Sequence, residues 1–221
     1  MKNEAYNMDC VEYMRTLPDK AFDLAIADPP YGLIDAGAWK RTSAGSLRGR
    51  IMNESKKKFN KWDKAPQKEF FDELERVSKH RIIWGGNYFP LPPTRCILCW
   101  DKVQPWENFA QIELAWTDID WPAQLFRYDN RAGGKIHPTQ KPVELYSWIL
   151  KRFAHEGDKI FDPMMGSQSS RIAAYMMGFD YVGCEIDEEY FNKGCERFNR
   201  ECKGEFTLSD GRVVKQPTLF D

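Results

Sequence analysis

The sequence predicts an α/β fold, a mostly parallel sheet with helices on both faces. Three observations predict it. Short apolar runs alternate along the chain with segments whose apolar residues recur at helical spacing. Two of the apolar runs lead straight into proline- or glycine-containing turns. The length, 221 residues with 42% hydrophobic residues, suits one domain with a sizeable core. Strands that alternate with helices form sheets buried on both sides.

Asp9 is placed to cap a short helix over residues 10–17. Residues 22–27 read as a buried strand. The run Asp28-Pro29-Pro30-Tyr31 ends it, because two prolines cannot continue a central strand. Residues 32–66 are polar and basic and lack periodic apolar positions, which predicts a long loop. Phe70, Phe71, Leu74 and Val77 mark a helix over 67–78, and strands follow at 81–84, 96–100 and 112–117. A second loop covers 118–142. A helix is expected at 143–154 and a strand at 159–161, running into Asp162-Pro163-Met164-Met165-Gly166-Ser167. The helix over 169–177 is closed by Gly178, the strand 181–186 follows, and the last helix covers 188–202. One domain, 1–221, is expected.

The chain opens Met1-Lys2-Asn3-Glu4 with no apolar run behind it, and no stretch is long and apolar enough to span a bilayer, so a cytoplasmic protein is expected. Cys96 and Cys99 form a C-x-x-C, but on a strand their thiols point to opposite faces and no second pair completes a zinc site. Buried free thiols are expected, with no metal. The net charge is -1, yet between Lys40 and Lys64 nine basic residues face only two acids. Lys40, Arg41, Arg48, Arg50, Lys56, Lys57 and Lys58 therefore form a candidate contact for a polyanion such as DNA, although a solvated loop has the same composition.

Both chemistry-bearing turns follow strands, and ligands of open α/β sheets bind beyond the carboxyl ends of strands. In the first turn Asp28 offers a carboxylate and Pro29 a backbone carbonyl. Two acceptors on a proline-stiffened backbone suit an exocyclic amine, whose two N–H bonds must be gripped before its lone pair can react. Tyr31 offers a ring face for an extruded base. A rigid turn with no chemistry accounts for these four residues equally well. In the second turn Gly166 permits a sharp bend, and Ser167, Ser169 and Ser170 are placed to cap the following helix, whose N-terminus favours an anion. Glu185, one strand later, stands where an acid commonly binds ribose hydroxyls, or is a surface residue ahead of the Asp187 cap.

Together these residues resemble the DNA adenine-N6 and cytosine-N4 methyltransferases. Asp28-Pro29-Pro30-Tyr31 resembles their catalytic motif, His137-Pro138-Thr139-Gln140-Lys141-Pro142 the segment before their cofactor half, and residues 161–170 their S-adenosylmethionine loop. Asp9-Cys10 upstream also fits, and the catalytic motif precedes the cofactor loop, as in the permuted beta group. The resemblance implies a Rossmann-like S-adenosylmethionine-dependent sheet of seven strands, one of them antiparallel. It implies a site-specific DNA methyltransferase, of the kind found in restriction–modification systems, acting on a base flipped out of duplex DNA. Asp28, Pro29, Pro30 and Tyr31 would be catalytic. Asp9 and Cys10 would lie by the cofactor adenine and Glu185 on its ribose. Thr139, Lys141, Asp162, Gly166 and Ser167 would lie near its methionine end, and His137 and Asp28 would also bind the cofactor. The loops 32–66 and 118–142 would recognise DNA.

Asp at position 28 favours adenine, with cytosine-N4 as the alternative. RNA or protein-glutamine methylation is a related rival, with Asn usual in place of Asp28. Gln168 stands where the family has a glycine, so a weakened DNA-binding homologue is a further alternative. The terminal Gln216, Leu219 and Phe220 resemble peptides that dock into bacterial sliding clamps, and fit an ordinary tail as well.

Overall fold

A computed structural model describes residues 2–33, 64–105, 110–129, 135–137, 139–207 and 211–215. Its centre is an eight-stranded sheet. The strands are β1 (Asn3–Tyr6), β2 (Phe22–Ala27), β3 (Ser78–Trp84), β4 (Ile97–Asp101), β5 (Ile112–Thr117), β6 (Gln124–Arg127), β7 (Lys159–Asp162) and β8 (Asp180–Cys184). They lie in the order β1-β8-β7-β2-β3-β5-β4-β6. Strand β5 is antiparallel to both neighbours and every other pairing is parallel.

The strand count corrects the expectation of seven: β6 adds an eighth at the edge beside β4. It falls inside the segment 118–142 that the sequence reads as loop, because its four residues are half-buried and exposed in turn and carry no apolar run. β1 also escapes a sequence reading, being short and half-buried throughout. A separate hairpin, β9 (Glu205–Thr207) with β10 (Val213–Lys215), follows the last helix.

Helices cover both faces, as alternating strand side chains require. Leu24 and Ile26 of β2, with Ile82 and Trp84 of β3, pack against Leu145, Ile149 and Leu150 of α3 (Val143–Phe153) and Ala173 and Ala174 of α4 (Ser169–Met176). Ala25, Ala27 and Ile83 turn the other way, onto Cys10 and Met14 of α1 (Cys10–Arg15) and Phe70, Leu74 and Val77 of α2 (Lys68–Val77). The last helix, α5 (Glu188–Lys203), adds Phe198 and Cys202 against Ile172 of α4. Cys96 and Cys99 are free thiols on opposite faces of the β4 segment, Cys96 buried with Leu98 and Trp100, Cys99 only half-buried. No helix among the described residues is long and apolar enough to cross a membrane.

Arg76 of α2 ties that helix to the far end of α1. It donates to the carbonyls of Met14 and Leu17 at 2.7 and 2.8 Å, at the end of α1. Helix α1 is thereby held with its N-terminus, Asp9 and Cys10, at the carboxyl edge of the sheet.

Candidate active site

Strand direction assembles the site. β2 and β7 are parallel neighbours, with Ala25 opposite Phe161, so the Asp28 turn and the Asp162–Ser167 turn leave the sheet side by side at one edge. The chain runs to β3 on one side of this pair and to β8 on the other, which makes a topological switch point. Along the same edge lie Asp9 beyond β1, Glu185 beyond β8, the Gly85–Gly86 turn beyond β3 and Lys102 beyond β4. β5 runs the opposite way, so its beginning lies there too and carries Glu113.

Asp28 is tied on both oxygens. Tyr31 donates its hydroxyl to Oδ1 at 3.0 Å, and Lys141 Nζ lies 2.6 Å from Oδ2. The same ammonium stands 3.1 Å from Glu113 Oε2, and Lys102 pairs with Glu113 Oε1. Lys141 is only 3% exposed. A buried ammonium needs such partners: burial alone would lower its pKa, but Asp28 and Glu113 hold it above the usual value. Burial raises Asp28 despite Lys141. Glu113, which burial would raise, is held at about 2 by Lys141 and Lys102.

The Tyr31 ring is seated by a glycine. Gly85 has φ +66°, and a Cβ there would stand 2.2 Å from the ring. Tyr88, 48% exposed, stacks on Tyr31 with centroids 5.1 Å apart, and Phe89 meets it edge-on. Pro29 is buried and Pro30 half-buried, so the turn is rigid and fixed from below.

On the other side of the switch point, Gly166 adopts φ +47°. Its N–H donates to Glu185 Oε2 at 2.9 Å, and Asp187 N–H donates to Oε1 at 2.9 Å. Burial raises the Glu185 carboxyl. Asp162, buried and accepting from Met164 N–H and the Ser170 hydroxyl, is pushed up to about 7 by its burial. The Asp9 carboxylate caps α1, accepting from Val11 and Glu12 N–H at 2.8 and 3.1 Å. Cys10 lies in the core, its thiol pushed up to about 12 chiefly by burial.

The expected serine caps of α4 are not formed. Gln168 is the N-cap residue, with φ +61° and no side-chain capping bond. The hydroxyls have other partners: Ser169 Oγ lies 3.2 Å from Ser167 Oγ and accepts from buried Arg197 at 2.8 Å, and Ser170 bonds Asp162. The positive φ explains why a glycine suits this position. Here Gln168 adopts it with its side chain fully buried and turned towards α5, donating to Phe191 O at 3.1 Å and accepting from Arg171 at 2.8 Å.

A strap joins the two sides. Its start, His137, lies against Gly166, 3.7 Å from where a Cβ would be, and meets Tyr190 with ring centroids 4.3 Å apart. Thr139 hydrogen-bonds His137 Nδ1 through its hydroxyl at 3.1 Å, and two residues later Lys141 reaches Asp28. The structure thus gathers Asp28, Tyr31, His137, Thr139, Lys141, Asp162, Gly166, Ser167 and Glu185 at one edge. Lys40, Arg41, Arg48, Arg50, Lys56, Lys57 and Lys58, most of the loop 32–66, and Gln216, Leu219 and Phe220 lie outside the described residues. A cavity of about 490 Å³ lined by Asp23, Lys79, Trp121 and His155 lies at the amino ends of the strands, the opposite rim.

Sequence reasoning missed Glu113, Lys102 and Tyr88. Only the antiparallel direction of β5 brings Glu113 to the edge, and no motif marks it. Tyr88 follows the Gly85–Gly86 pair, the one local signal of a ring seated there.

The family profile described as DNA methylase matches residues 55–196. The type II methyltransferase M.HinfI of Haemophilus influenzae is 24% identical over 245 residues, covering 88% of this chain and 67% of that protein. The crystal structure of an M1.HpyAVI–SAM complex superposes with a TM-score of 0.56 at 19% identity, covering 88% of this chain and 98% of that one. PvuII DNA methyltransferase, described as cytosine-N4-specific, superposes with a TM-score of 0.60 at 14% identity, covering 88% and 86%.

Proposed function

The chain belongs to the N6/N4 DNA methylase family, and from that premise we propose that it transfers a methyl group from S-adenosylmethionine to the N6 amine of adenine in DNA. As a member of that family the chain is a DNA methyltransferase that uses S-adenosylmethionine. Transfer from the cofactor to an amine is supported by the adjacency of two turns: Asp28 and Gly166 leave neighbouring parallel strands at one edge, where His137 lies against Gly166 and Lys141 against Asp28.

The residues on the Gly166 side suit the cofactor. The Glu185 carboxylate, oriented by two backbone N–H groups, has lone pairs left for a ribose diol. Gly166 keeps the turn free of a side chain where His137 approaches. We assign Glu185 to the ribose, Asp9 and Cys10 to the adenine, and His137, Thr139, Asp162, Gly166 and Ser167 to the methionine end. The bound cofactor supplies a methyl group already activated on sulfur. The protein supplies orientation and acceptors.

Asp28 and the Pro29 carbonyl accept the two amine N–H bonds, and preorganised acceptors of this kind stabilise charge as it develops. The base stacks on the aromatic surface of Tyr31. One amine N–H is exchanged for N–CH3, and the proton leaves to solvent. Asp at position 28 supports adenine. Cytosine-N4 remains the second reading, because PvuII methyltransferase shares the fold. The basic residues 40–58 hold DNA phosphates, the loops 32–66 and 118–142 recognise sequence, and a sliding clamp is a candidate partner for Gln216, Leu219 and Phe220. A pull-down with purified clamp, full chain against a tail deletion, tests that last assignment.

Replacing Asp28 with Ala is expected to abolish tritiated-methyl transfer to duplex DNA while calorimetry still reports cofactor binding. Wild-type turnover by the variant would refute the role. Methylation-sensitive sequencing of DNA exposed to the enzyme reads the target base and its context together.

A further inference from the structure

Glu113 belongs to neither turn, yet it stands beside the amine site. We propose that Glu113 is a positioning residue for methyl transfer: by sharing the Lys141 ammonium, it keeps Asp28 usable as an acceptor for the target amine. This rests on the assignment of Asp28 given above.

Four charges alternate along the edge: Asp28, Lys141, Glu113 and Lys102. They balance to zero in a region where Lys141 is 3% exposed and the Asp28 and Glu113 side chains are 17% and 22% exposed. Glu113 Oε1 is taken by Lys102. Oε2 is buried, makes no aligned hydrogen bond among the described residues, and faces Lys141 Nζ at 3.1 Å. The ammonium is therefore divided between two carboxylates.

Without the Glu113 charge, Lys141 keeps one carboxylate in reach and Lys102 becomes a second, uncompensated cation. Asp28 then carries the whole of the ion pair and accepts the amine N–H less well. The amine nitrogen also becomes positive as its N–C bond forms, and stays so until its proton leaves. A surplus cation nearby opposes that charge more strongly in a water-poor site than in bulk solvent.

The groups facing Asp28 are Lys141 from the strap, Glu113 from β5, Tyr31 from its own turn, Tyr146 from α3 and Asp162 from β7. Lys141 and Tyr31 favour its ionised form, and Glu113 opposes it. Removing the Glu113 charge therefore lets Asp28 ionise at lower pH. The signature is unusual: a slower enzyme that tolerates more acid.

Single-turnover methyl transfer to duplex DNA across pH 5 to 9 tests this, alongside ¹³C NMR titration of aspartate carboxyls. Glu113→Gln is expected to lower the plateau rate about tenfold, less than the roughly 100-fold or more lost with a group that touches the developing charge directly. Its acidic limb and its Asp28 titration should both move to lower pH. Glu113→Asp should recover most of the rate. If Glu113→Gln does not fold, the charge-balanced Glu113→Gln/Lys102→Met variant carries the same pH test. A folded variant whose plateau stays within about twofold of wild type, or whose Asp28 titration is unmoved, overturns the proposal. Wild-type protein that binds cofactor but transfers no methyl group to DNA overturns the parent reading instead. The Asp28 titration is read without turnover, so the two failures are distinguishable.

Discussion

Gln168 and Gly194 act as a pair. Gln168 occupies the left-handed position at the start of α4, and its side chain crosses to α5, where a Cβ on Gly194 would meet its Cγ and Nε2 at 2.6 Å. A glycine inside a helix ordinarily costs about 0.5–1 kcal/mol relative to alanine. Here Gly194→Ala should nonetheless destabilise, because the buried Gln168 amide is hydrogen-bonded at both ends and cannot swing aside. Overpacking of this kind costs about 1–3 kcal/mol. In a Gln168→Gly background the same alanine should be neutral or stabilising. Chemical denaturation of the four proteins in the cycle measures the coupling, and additive effects would show that the two residues are independent. Gln168 is thus accommodated by a glycine 26 residues later in the chain, with its side chain packed onto α5.

At the scale of elements, the strap beginning at His137 couples the two turns. His137 is held down to about 4, mainly by burial and then by Lys141. Its folded pKa lies below the ordinary value of about 6.5, so the unfolded chain binds more protons between those values. Stability should therefore fall as pH drops from about 6.5 towards 4, and flatten below. Thermal melts of wild type and His137→Gln across that window check the sign: the variant should lose less stability on acidification. Parallel curves would place the acid sensitivity elsewhere. Asp162 works the opposite way. Its carboxyl is raised to about 7, so the native state holds its proton longer and its contribution to stability declines as pH rises towards 7.

At the scale of the molecule, the sheet places both chemical turns at its carboxyl edge, while the basic segment 40–64 supplies the charge that the net value of -1 conceals. If that segment holds phosphates, DNA affinity should fall steeply with salt, by about 0.9 log units per log unit of salt for each phosphate neutralised. Replacing Lys56, Lys57 and Lys58 with Gln should then reduce the slope by up to about 3. An unchanged slope in a salt titration would remove these lysines from the interface.

The sequence by itself determined the local elements and the two turns. Asp9 caps its helix, strands β2 and β5 have the expected bounds, and Gly178 closes α4, because caps, proline stops and apolar periodicity act within a few residues. Two short strands, β1 and β6, carried too little apolar signal to read. Only the tertiary structure decided which side chains meet. Glu113 reaches the site through the antiparallel run of β5, Lys141 pairs with Asp28 from 113 residues away, and Arg197 and Asp162 take the Ser169 and Ser170 hydroxyls that local rules assign to a cap. The physical reason is that a buried charge or donor must find a partner somewhere. Where that partner lies is fixed by strand order and direction, which short-range sequence patterns do not contain.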